Sequence, residues 1–303
     1  MHIYDMIIVG GGPAGYTAAL YGARSGLDVL VLEKMGAGGQ MALTSQIDNY
    51  PGYADGVDGF TLGADMRRGA ERFGAKTRFT QVTALALEEN PKKVHLQEEV
   101  LYAKTVVLAT GASARKLGVA GEEDLIGAGI SYCAHCDGML YRGKTVAVVG
   151  GGNTAAAAAL TLSRYCKKVY LIHRRDSLRA SKVYHSQLEN TENIELYWNS
   201  TVTQLHADGF LKAVTLEQNG QKVLLDVDGL FVSIGQTPNT ELVKGQLALD
   251  ENGYIVAGET TETSVPGVFA PGDVRTTPLR QIITAAADGA VAAHRAEEYL
   301  NHL

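Results

Sequence analysis

Cysteine is nearly absent, with three in 303 residues. Three clustered cysteines cannot build the disulfide framework of a small secreted protein, so a reducing, cytoplasmic location is expected. There is no run of about 18 apolar residues that could span a bilayer. The apolar start, "MHIYDMIIVGGGPAG", is too short for a targeting segment and lacks a basic lead and a cleavage site, so it reads as a strand. An excess of positive charge is missing too. A net charge of -6 offers nucleic acid or an anionic membrane no general attraction, and neither is expected as a partner. Low-complexity and disorder-prone composition is likewise absent, since 46% hydrophobic and 20% charged residues match a folded chain. The length exceeds one ordinary core and predicts two domains.

Glycine is present in excess, at 35 residues, which predicts tight turns and places where backbone closely approaches something else. Met6 to Val9 is a short apolar run, "GGGPAG" follows it, and a small-residue helical stretch and the strand "LDVLVLE" come next. Gly10, Gly12 and Gly15 form G-x-G-x-x-G, in which the glycines allow a tight turn, close approach to a pyrophosphate and close packing of helix on strand. Glu33 follows Gly12 by 21 positions, where a carboxylate can accept hydrogen bonds from adenosine ribose hydroxyls.

The same unit returns as "KTVAVVGGGNTAAAAAL" and "KKVYLIHRRDSLR". Gly150, Gly152 and Ala155 give G-x-G-x-x-A, and His173 follows Gly152 by the same 21 positions. The chemistry at the tip is reversed. His173, Arg174 and Arg175, with Arg179 a turn further on, replace the carboxylate, and guanidinium groups bind a 2'-phosphate that a carboxylate would repel. The second site is therefore expected to take NADPH, and the first a dinucleotide with a free 2'-hydroxyl. In the last third, a short strand leads through Gly272-Asp273 to a helix from about Gln281, which places Asp273 to bind ribityl or ribose hydroxyls near a pyrophosphate.

Two of the cysteines lie together in "CAHC", Cys133 to Cys136, just before the second nucleotide unit. A structural zinc site wants four ligands, and the chain offers no second cysteine pair, so no metal is expected. A C-x-x-C beside a β-α-β unit reads as a redox pair. Cys166, in "SRYCKKVYL", reads as a small buried or half-buried residue at a helix-to-strand join.

Taken in order, "GGGPAG", "GGQ", "DNYPG", "ATGA", "CAHCDG", "VVGGGNTA", "HRRDSLRASK", "GQTPNTEL" and "APGDVR...RQIITAAADGA" resemble the low-molecular-weight, bacterial-type thioredoxin reductases, from about Tyr4 to Tyr299. The resemblance implies an α/β fold of two Rossmann-like, three-layer dinucleotide-binding domains. In it an NADPH domain (113–242) carrying the cysteine pair is inserted into a discontinuous FAD domain (1–112 and 243–303). It implies FAD and NADPH as cofactors, a homodimer, and thioredoxin or a similar small disulfide protein as substrate. FAD would be held by Gly10, Gly12, Pro13, Ala14, Gly15, Glu33, Gly39, Gln40, Asn49, Gly111, Gly272, Asp273, Arg280 and Gln281. NADPH would be held by Gly150, Gly152, Asn153, Thr154, His173, Arg174, Arg175 and Arg179.

By the same resemblance Cys136 faces the flavin, Cys133 attacks the substrate disulfide, and Asp137 is the acid and base that protonates the departing thiolate. His135 replaces a residue that is often threonine, and an imidazolium there would favour thiolate. Asn153-Thr154 and the alanines to Ala159 stand where the family commonly has Asp-Ser and two glutamates. Carboxylates at that helix start would compete with a pyrophosphate, and the alanines suit tight packing of helix on sheet. Turnover is expected to rotate one domain against the other about crossings near Ala112–Lys116 and Thr240–Lys244. Two other readings share this architecture: a disulfide reductase fed by ferredoxin or another donor, and a flavin redox sensor without turnover.

Overall fold

The computed structural model describes residues 2–44 and 46–303. Side chains alternate between the faces of a strand, and in β1 (Ile3–Val9) the run Met6, Ile7, Ile8 and Val9 is buried throughout. Such a strand belongs inside a sheet covered on both faces. Parallel neighbours flank it, β2 (Val29–Glu33) on one side and β6 (Val100–Leu108) on the other, with β3 (Lys76–Phe79) beyond β2. Further strands join β6: β5 (Lys92–His95), antiparallel and itself paired with β4 (Ala84–Ala86), and β17 (Val268–Phe269), parallel.

The alternation sorts the layers. Met6 and Ile8 pack with alanines of α1 (Pro13–Arg24) and α6 (Ile282–Asn301). Ile7 and Val9 pack on the other side against Leu85, Val94, Val243, Ile255 and Val274. Small residues let α1 and α6 cross closely: a Cβ on Gly289 would stand 2.2 Å from the Ala14 carbonyl oxygen. Helix α2 (Gly59–Glu71) starts at Asp58, whose carboxylate accepts from the Thr61 N–H, and lies beside α1.

The second unit repeats the design. Val146 and Val148 of β9 (Thr145–Val149) face Ala155, Ala156, Ala159 and Leu162 of α4 (Asn153–Ser163). The five strands, β11 (Ile194–Tyr197), β10 (Lys168–Ile172), β9, β15 (Gly229–Val232) and β8 (Ile130–Ser131), are all parallel and stand in that order. Helix α5 (Lys182–Glu189) lies beside α4. Ala147 and Val149 face an antiparallel sheet of β12 (Ser200–Asp208), β13 (Phe210–Gln218) and β14 (Gln221–Asp226) through Val202, Leu211, Val214 and Leu216. A short helix, α3 (Ala134–Asp137), follows β8.

The fold is therefore α/β, with two three-layer units each built on a parallel sheet. One comprises the chain up to Ser113 together with Thr237–Leu303, and the other is continuous from Ala114 to Gln236. The chain passes between them twice, and both passages fall in a two-stranded ribbon of β7 (Ala112–Ala114) and β16 (Gln236–Pro238). Thr240 already belongs to the first unit, where its hydroxyl donates to the Gly253 carbonyl at 2.9 Å.

Candidate active site

The first glycine turn is shaped by what its missing side chains allow. A Cβ on Gly10 (φ +106°) would strike the Ala109 oxygen at 2.3 Å, and one on Gly15 would stand 1.9 Å from the Gly10 oxygen. Gly12 differs, because a Cβ there would meet nothing nearer than the Gly38 oxygen at 4.0 Å. Open space thus lies over the start of α1. No side chain caps that helix, no acid stands in its first turn, and Pro13 opens it without an orphan N–H. Such a helix start accepts a pyrophosphate, so the residues fit a dinucleotide. Replacing Gly15 with alanine should force the turn apart. The expected cost is about 1–3 kcal/mol, together with reduced flavin content, both read from thermal unfolding and absorbance of the purified variant.

Of the expected flavin residues of the first unit, Glu33, Gly39 and Gly272 lie against this turn. Glu33 ends β2, and its carboxylate accepts from Gly11 N–H at 2.6 Å and Met35 N–H at 3.1 Å. Gly39, in the left-handed region at φ +56°, is close enough that its Cβ would touch Gly12 Cα at 3.4 Å, and Gln40 follows it in the same 3-10 turn. Asn49 Nδ2 donates to Gln281 Oε1 at 3.0 Å, so two residues 232 positions apart meet at the start of α6. Gly111 (φ +66°) is held by Asn239, whose N–H donates to the Gly111 carbonyl at 3.0 Å while its Nδ2 donates to that of Thr110 at 2.8 Å.

Gly272 and Asp273 sit on a partly buried ion pair that sequence reasoning missed. Arg275 grips Asp288 through two bonds, Nε to Oδ2 at 2.7 Å and Nη2 to Oδ1 at 2.8 Å, and Gly272 N–H donates to Asp288 Oδ2 at 2.9 Å. The signal was Asp288, a single charge inside the small-residue run from Thr284 to Ala293. Burial pushes the Asp273 carboxyl up to about 6, with Arg280 opposing and Asp288 adding to the rise. Among the described residues no hydrogen bond reaches that carboxyl, which leaves it available to ligand hydroxyls. The Arg280 guanidinium lies over the Tyr254 ring at 4.1 Å and donates to the Asp273 and Arg275 carbonyls.

In the second unit, a Cβ on Gly150 would strike the Ser233 oxygen at 2.3 Å, while one on Gly152 would meet nothing. Again α4 starts without a cap or a first-turn acid, and the same fit to a pyrophosphate holds. Thr154 is exposed, whereas Asn153 Oδ1 is engaged, accepting from Ser181 N–H at 2.8 Å and Ser181 Oγ at 3.2 Å. Ala155, Ala156, Ala158 and Ala159 are buried against the sheet.

The basic group at the tip is divided. Arg174, Arg175 and Arg179 are exposed, but His173 is 5% exposed, with its ring against Gly151, where a Cβ would lie 2.1 Å from Cε1. Burial and the nearby Arg179 charge draw the imidazole pKa down, which favours a neutral ring. The exposed arginines are the groups free to meet a 2'-phosphate, and His173 packs beneath the turn.

Cys133 and Cys136 form a disulfide. Cys133 caps α3, its Sγ accepting from the Cys136 N–H at 3.2 Å. Both cysteines are half-buried, and His135 between them is exposed. Asp137 follows directly, with Oδ2 accepting from Ser131 Oγ at 2.7 Å. Burial raises the Asp137 carboxyl above its ordinary range, and the Ser131 bond opposes the rise. Gly138 is required for space, since a Cβ there would sit 2.2 Å from the Tyr165 hydroxyl oxygen. Cys166 is buried, with its thiol on the Tyr141 carbonyl at 3.3 Å and pushed up to about 11 by burial. Such a thiol is inert beside the exchangeable pair.

Comparison with known proteins decides the family. Pyridine nucleotide-disulphide oxidoreductase matches residues 4–289. A thioredoxin reductase of Mycolicibacterium smegmatis is 46% identical over 301 residues, 98% of this chain and 97% of that one. The chain belongs to the thioredoxin reductase family. Within the family, a bifunctional thioredoxin reductase/thioredoxin of Mycobacterium leprae is 43% identical, the match covering 98% of this chain and 66% of that protein. The crystal structure of thioredoxin reductase from Streptococcus pyogenes superposes with a TM-score of 0.92 at 40% identity, covering 99% of each chain.

Proposed function

We propose that this protein uses NADPH to reduce the disulfide of thioredoxin, or of a similar small disulfide protein, through bound FAD and the Cys133–Cys136 pair. The observation that carries the reading is the joining of three features in one continuous unit: a disulfide, a carboxyl beside it, and a dinucleotide turn tipped by exposed arginines.

The chemistry FAD supplies when bound is the conversion of a hydride into the electron pair that a disulfide takes. The rest falls to residues of the chain. The starts of α1 and α4 present backbone N–H groups to the two pyrophosphates. Asp273 takes hydroxyls of the flavin nucleotide, and Glu33 those of its adenosine. Arg174, Arg175 and Arg179 neutralise the 2'-phosphate of NADPH. Reduction of the Cys133–Cys136 bond by two electrons and one proton yields one thiol and one thiolate. Cys133 attacks the substrate disulfide and forms a mixed disulfide, which Cys136 then resolves. Asp137, whose carboxyl burial raises above its ordinary range, gives a proton to the departing sulfur and takes one up from solvent before the next cycle.

A homodimer and a cytoplasmic location go with this function. No helix among the described residues is long and apolar enough to cross a membrane. Sedimentation of the purified flavoprotein tests the dimer.

The function is tested by mixing the flavoprotein anaerobically with NADPH or NADH, and then by steady-state NADPH oxidation with thioredoxin as acceptor. NADPH should bleach the flavin faster than NADH, and turnover should require the disulfide acceptor. A flavin that NADPH leaves oxidised but reduced ferredoxin bleaches would overturn the proposed donor. Bleaching without turnover would indicate a sensor.

A further inference from the structure

Ser131 ends β8, six residues ahead of Asp137. It is 4% exposed, and its hydroxyl stands at a junction of three groups. Ser131 Oγ donates to Asp137 Oδ2 at 2.7 Å and accepts from the Cys133 N–H at 3.0 Å, and the Cys133 carbonyl is a second acceptor at 3.3 Å. A hydroxyl has one proton and two lone pairs, so it serves one acceptor at a time. While Asp137 is ionised, the Ser131 proton lies on the carboxylate. Once Asp137 is protonated, its own O–H can donate to Ser131 Oγ and the Ser131 proton can turn to the Cys133 carbonyl. The hydroxyl is satisfied in either state.

We propose that Ser131 is a positioning residue for Asp137, holding its carboxyl against the backbone of Cys133 in both protonation states. The proposal rests on the reading of Asp137 as the group that exchanges protons with the cysteine pair. Its consequence is electrostatic as well as geometric. A hydrogen bond donated to a carboxylate favours the charged form, so Ser131 restrains the rise that burial imposes on Asp137.

The surroundings leave Ser131 as the group able to do this. Tyr141 follows Asp137 by one turn, and its phenol is raised by burial and by the charges of Asp137 and Asp228. From the end of α4, Tyr165 approaches Gly138, and Cys166 bonds the Tyr141 carbonyl. His135 is exposed. Among the described residues, none of these side chains hydrogen-bonds the Asp137 carboxyl, whose partner is Ser131.

The test uses the flavoprotein with its disulfide intact. The carboxyl stretch of protonated Asp137 is followed by infrared difference spectroscopy against pH, assigned by its loss in Asp137→Asn. The pH dependence of kcat with thioredoxin is measured in parallel. Ser131→Ala should move both midpoints to higher pH by about one unit or more, and Ser131→Thr, which keeps the hydroxyl, should return them. Ser131→Cys, with similar volume and a weak donor, should move them in the same direction as alanine and covers the case in which the alanine variant fails to fold. Midpoints that stay in place in Ser131→Ala and Ser131→Cys, while Asp137→Asn still abolishes the alkaline fall in rate, overturn the role of Ser131 and leave that of Asp137 standing. An alkaline fall unchanged in Asp137→Asn instead overturns the reading of Asp137.

Discussion

Cys133→Ser is expected to abolish disulfide reduction, by more than about a thousandfold, while leaving flavin reduction by NADPH intact. A serine hydroxyl is not ionised near neutral pH and cannot enter thiol exchange, whereas delivery of electrons from NADPH comes before any sulfur reacts. The substitution is nearly isosteric, and the α3 N-cap survives because a serine oxygen accepts the Cys136 N–H that Cys133 Sγ now accepts. The remaining Cys136, unable to form its disulfide, should give a long-wavelength absorbance band with the oxidised flavin. Anaerobic stopped-flow reduction and the visible spectrum read both effects. If the band develops in Cys136→Ser and not in Cys133→Ser, the roles of the two sulfurs are exchanged.

The second large effect is on coenzyme choice. Arg174→Ala combined with Arg175→Ala should lower kcat/KM for NADPH by about a hundredfold and leave that for NADH nearly unchanged. A hydrogen bond to a charged partner contributes about 1.5–3 kcal/mol, and exposure to solvent reduces the return from each arginine. The double substitution therefore removes about 3 kcal/mol that only the phosphorylated coenzyme had gained. His173→Asn should behave differently. Its ring fills the space beside Gly151 and meets Trp198 edge-on, so both coenzymes should suffer alike. A selectivity ratio that survives the arginine substitutions would remove the second turn from the NADPH assignment.

Both nucleotide turns were legible in the sequence because the signals that make them are local. An apolar strand, glycines where side chains would strike backbone, and a helix of small residues all fall within about 20 positions. The C-x-x-C pair was legible for the same reason. Relations that depend on tertiary placement were not. Asn239 holds Gly111 from 128 positions away, and Arg275 finds Asp288 only because α6 returns over the Gly272 turn. Spacing put His173 at the tip beside three arginines, but spacing could not show that the absence of a side chain at Gly151 draws the imidazole inward. Asn153 stood in a nucleotide-binding position by pattern, and the fold turns its side chain to Ser181. The antiparallel strands gave no comparable signal: β4 and β5 are short, and β12 to β14, at six to nine residues, are partly exposed, with register shifts between β12 and β13.

The insertion of one unit within the other orders events on the ribosome. Residues 114–236 are contiguous, so their sheet can close while the rest of the chain is still being translated. The other unit must wait. Strand β6 ends at Leu108 but lacks β17 until Phe269 emerges, and α1 lacks its cover until Gly289 can seat against Ala14. At roughly 5–20 residues per second, the interval between Leu108 and Asn301 lasts about 10–40 seconds. Throughout it Met6, Ile8, Ala18 and Ala19 present an apolar face with no helix from the C-terminal part to bury it. The nascent polypeptide thus carries a finished module tethered to an unfinished one, and that half-built surface is where a chaperone would be needed and where premature termination would leave an aggregation-prone fragment.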